Sequence, residues 1–198
     1  MISRLLSLSA LVALTSPLLL VTTGYGADDT KDTPSQLPKV GDPAPSFRLP
    51  STTGKDISLE QLKGKTVVLY FYPKDETPGC TKEACDFRDR NAQIEKAGVV
   101  VLGVSNDDLK SHAHFREKES IPFTLLSDTD AKVSKLYGVY GTRKYGDKEW
   151  TGIQRSTFVI GKDGRIAHVW SPVKVDGHAD EVLQFVGAQQ PAQQQQQY

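Results

Sequence analysis

Tyr72-Pro73-Lys74-Asp75-Glu76-Thr77-Pro78-Gly79-Cys80-Thr81-Lys82-Glu83-Ala84-Cys85 holds both cysteines of the 198-residue chain. It follows Val67-Val68-Leu69-Tyr70-Phe71, a run of β-branched and aromatic residues without charge, which reads as a buried strand. Pro73 closes that strand, because proline cannot donate to a sheet ladder. Thr77-Pro78-Gly79-Cys80 reads as a helix start. Threonine suits the N-cap, and proline suits the first helical position, where its missing N–H goes unneeded. Cys80 then falls at the third helical position, among unpaired N–H groups at the positive end of the helix dipole. Such surroundings favour the thiolate form of a thiol and make it nucleophilic.

The spacing of the two cysteines carries a second message. In a continuous helix, five residues give about 7.5 Å of rise and about 140° of rotation, so the two Cα atoms lie about 8.6 Å apart. A disulfide needs roughly 4.4–6.8 Å. The two cysteines can pair only if the helix unwinds locally. That suits a redox pair that alternates between two local folds better than a structural staple.

Outward from this stretch, Cys80 to Ala97 reads as a helix with Cys80, Ala84, Phe87 and Ile94 at near-helical spacing, stopped by Gly98. Val99–Ser105 is a second buried strand, completing a β-α-β unit with a right-handed crossover. Asp107/Asp108 to Ser120 reads as a helix, Ile121–Leu126 as a short strand, and Asp130–Tyr137 as a short helix ended by Gly138. Tyr140–Gly152 reads as a polar loop. Arg155–Ile160 and Arg165–Trp170 form a hairpin about Gly161-Lys162-Asp163-Gly164, and Gly177–Gly187 is a closing helix. Before the central strand, Val40–Pro50 is extended by its prolines, Thr53–Asp56 is a turn, and Ser58–Leu62 is one helical turn. The order β-α-β-α-β-α-β-β-α predicts an α/β fold with a mixed central sheet and helices on both faces.

The ends read differently. Residues 1–26 have the form of a signal peptide: Arg4, then the 17-residue apolar run Leu5–Val21, then Gly24 and Gly26 near a cleavage point. The run is shorter than the roughly 20 residues a spanning helix needs, which disfavours an uncleaved anchor. Residues 27–39 read as a flexible linker, 40–187 as the folded domain and 188–198 as a disordered glutamine-rich tail. With 24 basic and 24 acidic residues, neither nucleic acid nor an anionic membrane is expected as a partner.

Pro73-x-x-x-Thr77-x-x-Cys80, with Glu83 three residues on, resembles the active-site signature of the peroxiredoxins, and Cys85 narrows the resemblance to the peroxiredoxin Q, or bacterioferritin comigratory protein, type. Val-Gly-Asp-x-Ala-Pro-x-Phe at Val40–Phe47 is similar to the usual opening of such domains. The resemblance spans about Val40 to Val186 and implies a thioredoxin-like fold and a thiol peroxidase. Cys80 would be the peroxidatic nucleophile and Cys85 the resolving cysteine. Thr77 would position sulfur and peroxide, and Pro73 would shield the sulfur. The segment Arg155-Ser156-Thr157-Phe158-Val159-Ile160 is similar to the family segment whose arginine faces the reactive cysteine, with Glu83 orienting it. From the residues alone, Arg155 has no assigned role. The substrates implied are hydrogen peroxide or an alkyl hydroperoxide, and the reductant a thioredoxin-like dithiol. No cofactor or metal is implied, and the chain is expected to be a monomer.

Two alternatives stay open at this point: a thiol–disulfide oxidoreductase, although no Cys-x-x-Cys is present, and an extracytoplasmic copper-binding protein of related fold. His112 and His114 lie on different helix faces and make a poor metal pair; His168 and His178 are isolated. Export to a periplasmic or other extracytoplasmic compartment follows from the leader. N-terminal sequencing of the exported fraction is expected to begin near Ala27, and a cytosolic protein retaining Met1 would contradict export.

Overall fold

The computed structural model describes residues 36–146 and 148–188. The predicted leader, the linker up to residue 35 and the tail beyond residue 188 lie outside the described residues. Among the described residues, no helix is long and apolar enough to cross a membrane.

The chain forms β1 (Arg48–Leu49), β2 (Ile57–Ser58), a 3-10 turn (Leu59–Leu62), β3 (Thr66–Phe71), α1 (Pro78–Lys96), β4 (Val99–Ser105), α2 (Leu109–Glu119), β5 (Thr124–Ser127), α3 (Lys132–Leu136), β6 (Tyr140–Tyr145), β7 (Lys148–Ile153), β8 (Ser156–Ile160), β9 (Ile166–Trp170) and α4 (His178–Ala188). Five strands make the central sheet in the order β5-β4-β3-β8-β9. β3 pairs in parallel with β4 and antiparallel with β8, so the sheet is mixed as predicted.

β3 is the centre of the molecule because it is apolar on both faces. Val68, Tyr70 and Tyr72 enter one core with Ala84, Phe87 and Ile94 of α1 and Val182 and Val186 of α4. Val67, Leu69 and Phe71 enter the other core with Val133 of α3, Tyr137 and Phe158. A strand buried on both sides reads as a continuous hydrophobic run, as this one does. Helices thus cover both faces, and the architecture is the thioredoxin-like one. At the end of α1, Gly98 takes φ +69°, a left-handed conformation that ends the helix without the penalty a side chain would bring.

The structure corrects three local readings. Residues 140–153 are not a loop but the hairpin β6–β7, with Thr142 facing Thr151. Its strands pair only with each other, outside the main sheet, so they lack the apolar alternation that marks a half-buried strand. It is anchored at its base by buried Val139 and Ile153. β5 begins at Thr124 rather than Ile121, because Ile121 donates its N–H to Arg116 O at the end of α2 and Pro122 has none to give. α3 is shorter than expected and is capped by Asp128, whose carboxylate accepts from the Val133 and Ser134 N–H groups.

Tyr70 makes one position in β4 intolerant of any side chain. A Cβ at Gly103 would stand 2.7 Å from the Tyr70 ring and hydroxyl and 2.8 Å from Leu125. Gly103→Ala is therefore expected to destabilise the protein by about 1–3 kcal/mol in urea unfolding, the usual effect of overpacking a tight core. An unchanged midpoint would show that Tyr70 moves aside freely.

Candidate active site

β3 ends at Phe71, and a six-residue connection, Tyr72–Thr77, leads into α1. Thr77 is the N-cap residue and Pro78 the first helical residue. The cap is made by backbone, not by side chain: Thr81 N–H bonds Thr77 O at 2.8 Å, whereas the Thr77 hydroxyl donates back to Lys74 O at 3.0 Å. The expectation that Thr77 caps with its hydroxyl is corrected accordingly. The hydroxyl closes the turn before the helix instead. Pro73 is half-buried at the strand end.

Cys80 sits in the first turn of α1 and is 1% exposed. Arg155 donates from Nη2 to the Cys80 sulfur at 3.1 Å and from Nη1 to Glu83 Oε2. The reason these groups meet lies in the sheet. β8 runs antiparallel to β3 with Ser156 opposite Phe71, so Arg155 stands just beyond the strand end where the chain turns into α1. Its carbonyl is fixed by Val173 N–H at 3.0 Å. Gly79 leaves room for the guanidinium, since a Cβ there would come within 3.3 Å of Nη2. A guanidinium can present one nitrogen to each partner because its donors form a rigid fork.

Glu83 is 1% exposed, and its second oxygen, Oε1, is buried without a hydrogen-bond partner among the described residues. Burial pushes its carboxyl up to about 7, against the lowering effect of Arg155. Cys85 lies farther along the same helix, half-buried, with its thiol 3.7 Å from Glu119 Oε2. Burial raises its pKa, with the Glu119 carboxylate acting in the same sense and Arg88 opposing. Both cysteines are free thiols within an unbroken α1.

Sequence reasoning missed a second polar cluster beside the first. The buried carboxylate of Asp75 accepts from Tyr72 Oη at 2.7 Å and Ser111 Oγ at 2.7 Å, and lies 2.9 Å from His112 Nδ1. An acid inside the Pro73–Cys85 stretch and the Ser111-His112 pair were the available signals. The histidines are otherwise as expected: His112 is buried and His114 exposed on the opposite side of α2. His178 bonds Thr157 at 2.8 Å, and burial together with the Arg155 charge lowers it to about 4. Both ring nitrogens of His112 and Nε2 of His178 are thus engaged in hydrogen bonds. Among the described residues no group of three His, Cys, Asp or Glu side chains could hold a metal ion.

Residues 40–169 match the model of the AhpC/TSA family. A putative peroxiredoxin bcp of Coxiella burnetii is 55% identical over 145 residues, covering 73% of this chain and 96% of that protein. Peroxiredoxin Bcp of Bacillus subtilis is 45% identical over 146 residues, covering 74% and 93%. Among solved structures, a PrxQ cysteine-to-serine mutant of Xylella fastidiosa superposes with a TM-score of 0.73 at 37% identity, covering 78% of this chain and 98% of that one. The bacterioferritin comigratory protein of Xanthomonas campestris, studied for alkyl peroxide reduction through a trapped intermediate and ligand complexes, gives 0.68 at 39% identity, covering 72% and 90%.

The buried Glu83 makes stability depend on pH. Its folded value near 7 exceeds its ordinary value of 4.5, so the native state keeps a proton that the unfolded chain releases. The contribution of Glu83 therefore declines as pH rises from about 4.5 to 7, by about 3 kcal/mol in all. His178, lowered from 6.5 to about 4, acts in the opposite sense over 4 to 6.5. The readout is thus the difference in unfolding free energy between the native protein and Glu83→Gln. That difference is expected to shift against the native protein between pH 4.5 and 7, and a constant difference would contradict it.

Proposed function

We propose, from the premise that the chain belongs to the AhpC/TSA family and is a thiol peroxidase of the Bcp/PrxQ kind, that Cys80 is its peroxidatic nucleophile and Cys85 its resolving cysteine. The contact between the Arg155 guanidinium and the Cys80 sulfur, 3.1 Å at the start of α1, carries this reading. A permanent cation beside the sulfur stabilises the thiolate, and it is placed to stabilise the negative charge that grows on the peroxide as it breaks. Glu83 holds the fork of Arg155 in that orientation. Thr77 and Pro73 border the sulfur along the chain; the proline closes the strand and helps to exclude water.

In the first step the thiolate attacks the terminal oxygen of hydrogen peroxide or an alkyl hydroperoxide. The S–O bond forms and the O–O bond breaks. Cys80 becomes a sulfenic acid, and the leaving oxygen takes up a proton to depart as water or alcohol. In the second step the Cys85 sulfur attacks the sulfenic sulfur, forming the Cys80–Cys85 disulfide and releasing water. Because both residues lie in one helix, this step requires part of α1 to unwind. A thioredoxin-like dithiol then reduces the disulfide by thiol exchange. The leader at residues 1–26 supports export to a periplasmic or other extracytoplasmic compartment, and the near-neutral charge supports action without nucleic acid or membrane.

The test is stopped-flow mixing of the reduced protein with peroxide. Cys80→Ser is expected to abolish peroxide consumption while the fold persists. Cys85→Ser is expected to retain sulfenic acid formation and lose the disulfide. Arg155→Lys, which keeps the charge but loses the fork, should slow the first step on the order of 100-fold. Comparable peroxide consumption by Cys80→Ser would overturn the assignment.

A further inference from the structure

The second polar cluster of the site has no part in the steps above, yet it is built on the segment that delivers Cys80. Asp75 occupies the middle of the connection between β3 and α1 and is 4% exposed. Three side chains converge on its carboxylate: Tyr72 Oη on Oδ1, and Ser111 Oγ and His112 Nδ1 on Oδ2. Its backbone N–H donates to Asp107 Oδ2 at 2.9 Å, and that same oxygen accepts from Ser105 Oγ at 2.6 Å. His112, with no exposed surface, presents its other nitrogen, Nε2, to Leu126 O at 3.1 Å. Both ring nitrogens thus face acceptors, and the ring bridges the Asp75 carboxylate and the Leu126 carbonyl. The network joins the connection to the ends of β4 and β5 and to the first turn of α2.

The next residue shows what this anchoring achieves. Glu76 takes φ +57°, a left-handed conformation unfavourable for a residue with a side chain. Such a conformation persists only where its surroundings over-determine it. Here Asp75 is tied on one side, Lys118 of α2 pairs with Glu76 at 2.6 Å, and the Thr77 hydroxyl closes onto Lys74 O. This turn sets the direction in which α1 leaves, and with it where Cys80, three residues after Thr77, meets Arg155.

We propose that Asp75 and His112 are positioning residues of the peroxide step: a buried carboxylate–imidazole pair that clamps residues 74–77 onto α2 and so holds Cys80 against Arg155. This rests on the peroxidase reading, but it adds residues that touch neither sulfur nor peroxide. Their effect is on the geometry of the reacting group, where a displacement of about 1 Å is enough to slow a reaction on the order of 100-fold.

The experiment measures, in the full chain, the second-order rate of Cys80 oxidation by hydrogen peroxide. It also measures, in a Cys85→Ser background, the pH profile of Cys80 alkylation by iodoacetamide. Asp75→Ala and His112→Ala are each expected to lower the peroxide rate by about 10- to 100-fold. The double variant should be little slower than either single one, because both changes release the same turn. Asp75→Asn should recover most of the rate, since its amide oxygen still accepts from Tyr72 and its NH₂ can donate to the imidazole. Phe115→Leu, a core change on the same helix, serves as the control: it should lower thermal stability and leave both the rate and the alkylation profile unchanged. A native rate in Asp75→Ala would overturn the proposal, as would an equal loss of rate in Phe115→Leu, which would reduce the effect to stability. If the alanine variants fail to fold, Ser111→Ala decides. A fall of about threefold, in keeping with the net loss of one ordinary hydrogen bond while those of Tyr72 and His112 remain, supports the clamp, and a native rate overturns it. A native protein whose Cys80 does not react with peroxide at all would instead sink the peroxidase reading, so the two failures are distinguishable.

Discussion

A guanidinium that touches a sulfur with one nitrogen and a buried carboxylate with another is the contact on which the site depends. It brings together two parts of the chain that share no local signal, the first turn of α1 and the residue before β8. Both are delivered by the sheet. β3 ends where α1 begins, β8 starts beside that end, and the antiparallel register of Phe71 with Ser156 leaves Arg155 facing the helix start. A shift of one residue in that register would turn Arg155 to the other face of the sheet. Packing on both faces of β3 therefore protects the chemistry as well as the fold.

The first turn of α1 serves two incompatible demands. Reaction with peroxide needs Cys80 buried, at the helix start, with Arg155 against it. Bonding to Cys85 needs the same segment to leave the helix, because a regular α-helix keeps the two sulfurs on different sides and too far apart. Arg155 holds Cys80 and Glu83 within that segment, but the helix start itself is weakly capped. Thr77 caps only through its backbone, Pro78 donates no hydrogen bond, and Gly79 has no side chain to bury. The strong anchors lie on either side of the segment. Upstream is the Asp75–His112 cluster, and downstream is the core contact of Phe87 with Tyr70, their rings 5.0 Å apart. A weak turn between two fixed points can open without disturbing the sheet, in keeping with the low local stability of elements that move in function.

Buried charge is distributed in an ordered way around this segment. Glu83 and Arg155 lie on the sulfur side, Asp75 and His112 on the α2 side, and each carboxylate has a guanidinium or imidazole partner within hydrogen-bond reach. Buried pairs of this kind add little net stability, but removing one partner leaves an uncompensated charge. Such residues are kept for geometry rather than for binding energy.

The sequence by itself determined everything that rests on neighbours in the chain. Val67–Phe71 reads as a strand buried on both faces, Thr77-Pro78 as a helix start, Gly98 as its stop, and residues 155–170 as a hairpin, because each signal lies within a few residues of what it specifies. The place of Cys80 in the first turn and the separation of Cys80 from Cys85 follow from helix geometry alone. Only the tertiary structure decided which distant side chains meet these elements. Arg155 reaches Cys80 across 75 positions through strand register, and His112 reaches Asp75 across 37 through the docking of α2. The resemblance to peroxiredoxins pointed to Arg155 and Glu83, whereas the acid at Asp75 and the Ser111-His112 pair, 37 positions apart at the contact, carried no signal that they meet. The hairpin β6–β7 escaped for a related reason: lying outside the sheet, it has no buried face to impress a period on its residues. Short-range order is written in residue types and spacing, whereas a site assembled from three strands and two helices exists only once their packing has fixed the register.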